Sequence, residues 1–191
     1  MIRTLPLFLA LPLAGCISFG AKPPPSLLTL TAATPIAVGQ SQSSAGARAI
    51  AVSVPTTPAA LAALRVPVQT TPTDLAYVEN AQWVEPPARL FARLLADTLT
   101  AGGTVVVTGV QSVDSPAGKL GGELRAFGFD ATARTAVVTF DALLTRGGST
   151  AVERRRFEAS VPVATIDAAS AGPALNAAAN QVAAQVAAWA R

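Results

Sequence analysis

Histidine is absent from the 191 residues, cysteine occurs once, and the eleven Asp and Glu side chains are scattered. Without an imidazole there is no Ser-His-Asp or Cys-His catalytic set and no histidine metal ligand. Asp97, Asp130 and Asp141 are the carboxylates from which an acid–base pair would have to be drawn. Their spacing gives no reason for any two to meet, and solvated faces account for them. Ser115 and Lys119 fit no Ser-Lys hydrolase spacing, and no Walker or Rossmann glycine loop is present. The reading is therefore no catalytic residues, no cofactor and no metal. The sharpest charge cluster is Arg154-Arg155-Arg156. On a strand, Arg154 and Arg156 share one face and Arg155 points to the other. Two readings compete: contact with lipid phosphates or an acidic partner, or a charged edge strand that blocks aggregation. Tyr77 and Trp83 likewise read either as core aromatics or as partner-facing anchors.

Cys16 carries the one specific chemical signal. It closes Leu13-Ala14-Gly15-Cys16, preceded by the apolar run Leu5–Pro12 and a start with one positive charge, Arg3. The run is too short to span a bilayer and has the layout of a secretory signal peptide. The four residues match the bacterial lipobox. In such signals the thiol receives a diacylglycerol, the chain is cut before the cysteine, and the new amine is acylated. This accounts for a lone cysteine in a secreted chain. Each buried acyl CH2 contributes about 0.8 kcal/mol, so several chains hold a protein firmly on a membrane. No other stretch offers about 20 continuous apolar residues. Ile17, rather than Asp, follows the cysteine, which by resemblance to Gram-negative lipoprotein sorting favours the outer membrane, facing the periplasm.

The elements that must carry the rest are small-residue elements. Hydrophobic residues make up 51% and aromatics only 5%, so the core is expected from small aliphatic side chains in one domain. The net charge of +3 comes without a long basic run, so there is no footprint for nucleic acid. Residues 1–15 read as the signal peptide, 16–25 with Pro23-Pro24-Pro25 as a semi-rigid tether, and 26–191 as the folded domain.

Along that domain, 26–31 reads as a first strand, 34–48 as a loop, and 49–54 as a strand stopped by Pro55. A Pro-rich irregular stretch follows over 56–73, with one or two helical turns at 58–64. Residues 75–78 form a short strand. A helix over 87–101 starts on Pro86-Pro87, buries Leu90, Phe91, Leu94, Leu95 and Leu99, and ends at Gly102-Gly103 as a left-handed cap. A buried strand is expected at 104–108, a turn region at 113–122, and strands at 123–130, 135–146 and 150–161. Gly147-Gly148 marks a hairpin. Val138, Phe140, Ala142 and Leu144 share one face of the middle strand; Thr139, Asp141 and Thr145 share the other, which is expected to be wet. A last helix from 165–170 to 191 shows the stripe Leu175, Ala179, Val182, Val186 and Trp189, with Asn176, Asn180 and Gln181 outside it. The fold class is α+β, a mostly antiparallel sheet with at least two helices packed on it.

The order of these pieces resembles the ABC-type transport auxiliary lipoprotein family, whose best-known member is the lipoprotein of the paraquat-inducible system. The resemblance rests on the lipobox, the Leu-rich 26–30 and Ile50-Ala51-Val52-Ser53-Val54-Pro55. It rests most on Tyr77 through Trp83-Val84-Glu85-Pro86-Pro87 opening a Leu-rich helix. Leu124-Arg125-Ala126-Phe127 and the closing alanine-rich helix match more loosely. The family's motif often reads Trp-Ala-Glu-Pro; here Val84 stands for the alanine. The resemblance implies a non-enzymatic, periplasm-facing subunit. It would dock on the mammalian-cell-entry (MCE) subunit of an ABC system that moves phospholipid or other hydrophobic solutes between membranes. Self-assembly into a homo-oligomer is compatible with it. The residues leave two alternatives: a structural lipoprotein of another envelope machine, and a lipid-anchored hydrolase working through carboxylates.

Overall fold

The computed structural model describes residues 26–41, 43, 49–107 and 118–191. The signal peptide, Cys16, the tether, Arg48, Thr108 and most of the expected 113–122 turn lie outside them. The elements are β1 (Ala49–Val52), α1 (Ala59–Ala62), β2 (Arg65–Gln69), β3 (Leu75–Gln82), α2 (Pro87–Ala101), β4 (Val105–Val107), β5 (Gly118–Asp130), β6 (Thr135–Thr145), β7 (Val152–Pro162) and α3 (Ala168–Ala190). Together they make one α+β domain. β5, β6 and β7 form a long antiparallel meander. The free edge of β5 is shared: β1 pairs with its first residues and β2 with its last, both parallel. β4 extends β1, and β3 extends β2 as an antiparallel partner.

Both long helices cover one face of this sheet. α3 lies on β6 and β7, and α2 packs beside it toward β1 and β4. Alternation decides which strand residues meet them: Ala136, Val138, Phe140, Ala142 and Leu144 of β6 are all at most 1% exposed. α2 sends down Leu90, Phe91, Leu94, Leu95 and Leu99. α3 contributes mostly alanine, with Ala178, Ala179 and Ala183 fully buried beside Leu175, Val182 and Val186. Side chains this small let a helix seat close to a sheet, and they leave the larger volumes to the aromatics. Phe91 stands edge-on to both Phe127 and Phe140, at 6.3 and 5.2 Å between ring centroids. Asp167 caps α3, accepting from Ser170 N while Ser170 Oγ accepts from Asp167 N, a reciprocal capping box. At the other end Arg146, from the β6–β7 loop, donates to the carbonyls of Trp189 and Arg191.

Several expectations are corrected. Residues 26–31 make a single bridge, Leu28 to Trp83, rather than a strand. The chain then turns onto α3, where Thr31 N and Ala33 N donate to Asn176 Oδ1 and Asn180 Oδ1 at 2.9 and 2.8 Å. β2 lies inside the stretch expected to be irregular. Its Pro67 is tolerated because the β2–β3 register shifts there: three residues, Arg65 to Pro67, face the longer run Gln82 back to Tyr77. Asn80, at φ 56°, takes up the extra length and lets β3 run on to Gln82. β5 begins at Gly118, inside the expected turn. Its Gly122 has φ 140°, and a Cβ there would strike the Asp141 carbonyl oxygen. β4 is half-buried rather than buried, because it is an outermost strand. In the α2 cap, Gly103 is left-handed (φ 85°) and Gly102 is not (φ −79°).

Candidate functional site

The face of the sheet away from the helices is open, and β5–β7 fill it with charge. Glu123, Asp141 and Arg156 stand in one row across the three strands. Asp141 is the centre. Its carboxylate accepts from Arg156 Nε at 2.6 Å and Nη2 at 2.8 Å, a two-pronged pair, and from Arg154 Nη2 at 3.1 Å. Arg125 Nε lies 3.9 Å away. The Asp141 side chain is 4% exposed, while those of Arg154 and Arg156 are 66% and 56% exposed. The guanidiniums themselves, rather than depth in the core, keep water from it. The Arg156 hydrogen bonds, reinforced by Arg154, hold the Asp141 carboxyl far below the usual carboxylate range and outweigh the opposing effect of burial. Around this centre Arg125 pairs with Glu123 at 3.3 Å, and Thr139 Oγ1 donates to Glu158 Oε2 at 2.9 Å. The expectation that Asp141 is a solvated carboxylate is thereby corrected.

The open face changes character toward β2 and β3. By register, Pro67 and Tyr77 share it, and the Arg65 guanidinium lies 3.8 Å above the Tyr77 ring. Leu75, paired with Gln69, is exposed there. β3 and β7 are opposite edges with β2, β5 and β6 between them, so Tyr77 and the arginines are separated by four strand spacings, about 19 Å across the sheet, and are offset along the strands as well.

The residues singled out in the sequence therefore do not form one cluster. Arg154 and Arg156 are on the open face, at the edge strand, as their alternation requires. Arg155 is on the helix side, 5.2 Å from the Phe157 ring. Trp83 is a core residue with no exposed surface, edge-on to Phe127 at 5.2 Å. Of its two readings the partner-facing one is withdrawn: β3, bent at Asn80, turns the indole inward. Its N–H has no partner among the described residues. Sequence reasoning missed Arg125 and Glu123 as members of the charged row. Arg125 sits at the register shift between Leu124 and Ala126, which alternation alone places wrongly. Asp97, on α2, has its carboxyl pushed up by burial, with Arg93 opposing, and stands apart from Asp141 on the other side of the sheet. Among the described residues no group of three His, Cys, Asp or Glu side chains is placed to hold a metal ion.

Residues 28–187 match the family model described as the ABC-type transport auxiliary lipoprotein component. The chain belongs to this family. The match spans every described element but the end of α3 and includes the Tyr77–Pro87 stretch and the charged row. Two crystal structures share the fold. One, of an uncharacterized protein, superposes with a TM-score of 0.66 at 17% identity, covering 86% of this chain and 99% of that one. The other, protein XCC0632 from Xanthomonas campestris, a DUF330 protein, gives 0.65 at 20% identity, covering 87% and 91%. No curated protein matches the chain. The family is thus described as a lipoprotein component of ABC-type transport.

Proposed function

We propose that this family member is a periplasm-facing outer-membrane lipoprotein, anchored through lipidated Cys16, that docks on the MCE subunit of an ABC system moving phospholipid or another hydrophobic solute between membranes. The observation that carries the reading is the family match over 28–187. The lipobox supports the anchor. The division of the sheet supports docking: one face is closed by α2 and α3, and the other presents Arg154 and Arg156 around a carboxylate that fixes their direction. Fixed, half-exposed guanidiniums suit an acidic protein surface, because their geometry is set before contact is made.

The test is co-purification. The tagged protein is extracted in mild detergent and its companions are identified by mass spectrometry. The reading expects the MCE subunit with its permease and ATPase, lost from Cys16→Ala and reduced in Arg154→Glu/Arg156→Glu but not in Arg155→Glu, with folding checked by circular dichroism. Recovery of another envelope machine without an MCE subunit overturns the partner. Loss with Arg155→Glu alone overturns the face.

A further inference from the structure

The shared edge of β5 leaves a gap. Thr56 is the last residue bonded at the first end: its N–H donates to Gly122 O, and its carbonyl accepts from Leu124 N. β2 rejoins the edge only at Phe129. Between these points lies a cleft of about 250 Å³. Pro58 and Leu61, at α1, form one wall, and Pro67 and Leu75 the other. Ala126 and Gly128 lie along the β5 side, and their small size keeps the space open. Gly128 is also required by the wall itself, since a Cβ there would strike the Pro67 carbonyl.

The polar groups of the cleft differ in what they have left to offer. Gln69 Nε2 already donates to Thr71 O and Asp74 O at 2.6 and 3.1 Å. Asp130 Oδ1 accepts from Ala133 N at 2.8 Å, at the far end of the strand. Arg125 is the exception. Its side chain is 45% exposed, and its ion pairs, 3.3 Å to Glu123 and 3.9 Å to Asp141, are long. A guanidinium has five donors, so most of its capacity is unspent. The cleft is thus an apolar body with a cation at one end. An apolar cavity of about 150 Å³ takes a benzene ring, so this one has room for several methylenes with a head group left outside.

We propose that the cleft binds the alkyl chain of an amphiphile whose anionic head, carboxylate or phosphate, is held by Arg125. This goes beyond the docking role and does not depend on which partner the protein meets.

Photo-crosslinking tests it. Full-length lipidated protein in phosphatidylcholine nanodiscs is irradiated with a diazirine-bearing palmitate or with its uncharged methyl ester, and labelled peptides are mapped by mass spectrometry. Label is expected at 58–61, 75 and 126–129. The acid should label about tenfold more than the ester, the factor that a charge-assisted hydrogen bond of ordinary strength gives. Arg125→Gln should bring the acid down to the level of the ester, and Ala126→Phe should fill the cleft and remove both. Competition by unlabelled palmitate or by lysophosphatidate identifies the head: the stronger competitor carries the one Arg125 holds. Label scattered over the surface, equal labelling by acid and ester, or labelling unchanged in Arg125→Gln overturns the proposal. Arg125 is half exposed, so that variant keeps the test decisive even if Ala126→Phe does not fold.

Discussion

The two faces of the β5–β6–β7 sheet are built from the same three strands and are held by different forces. On the helix side, Val138, Phe140 and Leu144 meet α2 and α3 with no polar atom to satisfy, and cohesion comes from excluded water and close packing. On the open side, residues one step along the same strands assemble a carboxylate with guanidiniums, and cohesion comes from directed hydrogen bonds. Solvent-filled surroundings make the second kind weaker. A face held this way still presents half-exposed donors to solvent, whereas the helix-covered face is already committed. The contrast is the reason the proposed contact surface is placed on one side only.

Leu144→Ala breaks the covered side most directly. Leu144 is 1% exposed, opposite Leu120 on β5. Removing a fully buried leucine side chain costs about 2–5 kcal/mol, because the lost transfer energy is joined by a cavity. Chemical denaturation of the variant against the parent measures it. A loss below about 1 kcal/mol would mean that the alanine-rich α3 can settle into the space.

Asp141→Asn probes the open side at its centre and should cost less, about 1–2 kcal/mol, because its partners are more than half exposed and water takes over part of their bonding. It also carries a pH signature. The folded-state carboxyl lies far below its unfolded value of about 3.9. A depressed carboxylate contributes stability that is complete above the unfolded pKa and is lost as pH falls toward the folded one. The parent should therefore lose stability progressively below about pH 4, and Asp141→Asn should show a shallower decline over the same range. Equal slopes in urea melts would show that Asp141 is not the group responsible.

How much of this was legible in the sequence follows the same division. The covered side was, because burial leaves a period: the leucines of α2, the stripe of α3 and the alternation of β6 all appear where expected, and Pro87 and Gly103 mark the ends of α2 through their own backbone restrictions. β2 was not, because Pro67 reads as a strand breaker until the register shift that accommodates it is seen. The start of β5 was hidden by Gly118, Gly121 and Gly122, which read as a turn. The open side was legible as the wet face of β6, with Thr139, Asp141 and Thr145, and separately as Arg154 and Arg156 on one face of a later strand. Which carboxylate they meet depends on strand register, a property of two segments at once, so neither Asp141 nor Arg125 announces its role. Trp83 was ambiguous for a related reason: Asn80 decides which way β3 faces beyond it.

Asn180→Ala tests the clamp that ties the start of the domain to α3. Asn180 Nδ2 donates to Thr31 O at 2.9 Å, and Oδ1 accepts from Ala33 N. Each such bond contributes about 0.5–1.5 kcal/mol net, and local docking of residues 31–33 on α3 rather than the core depends on it. Hydrogen exchange should therefore speed up at Ala33, whose amide loses its acceptor, while the amides of β6 stay protected. Protection lost equally in both places would make the clamp part of the global fold.

The smallest effect is the most informative partner to the largest. Leu143 precedes Leu144 on β6, points to the open face between Gly121 and Arg154, and is 41% exposed. It is the same residue type in the same strand, differing by one step in the pleat. Leu143→Ala should change stability by no more than about 0.5 kcal/mol, the ordinary range for surface substitutions. If the open face is a docking surface, the same variant should lower partner recovery in the co-purification experiment while Leu144→Ala, scored on whatever fraction folds, should not. A large stability loss from Leu143→Ala would instead mean that this face is already packed against something in the isolated protein, and the contrast between the two faces would fail.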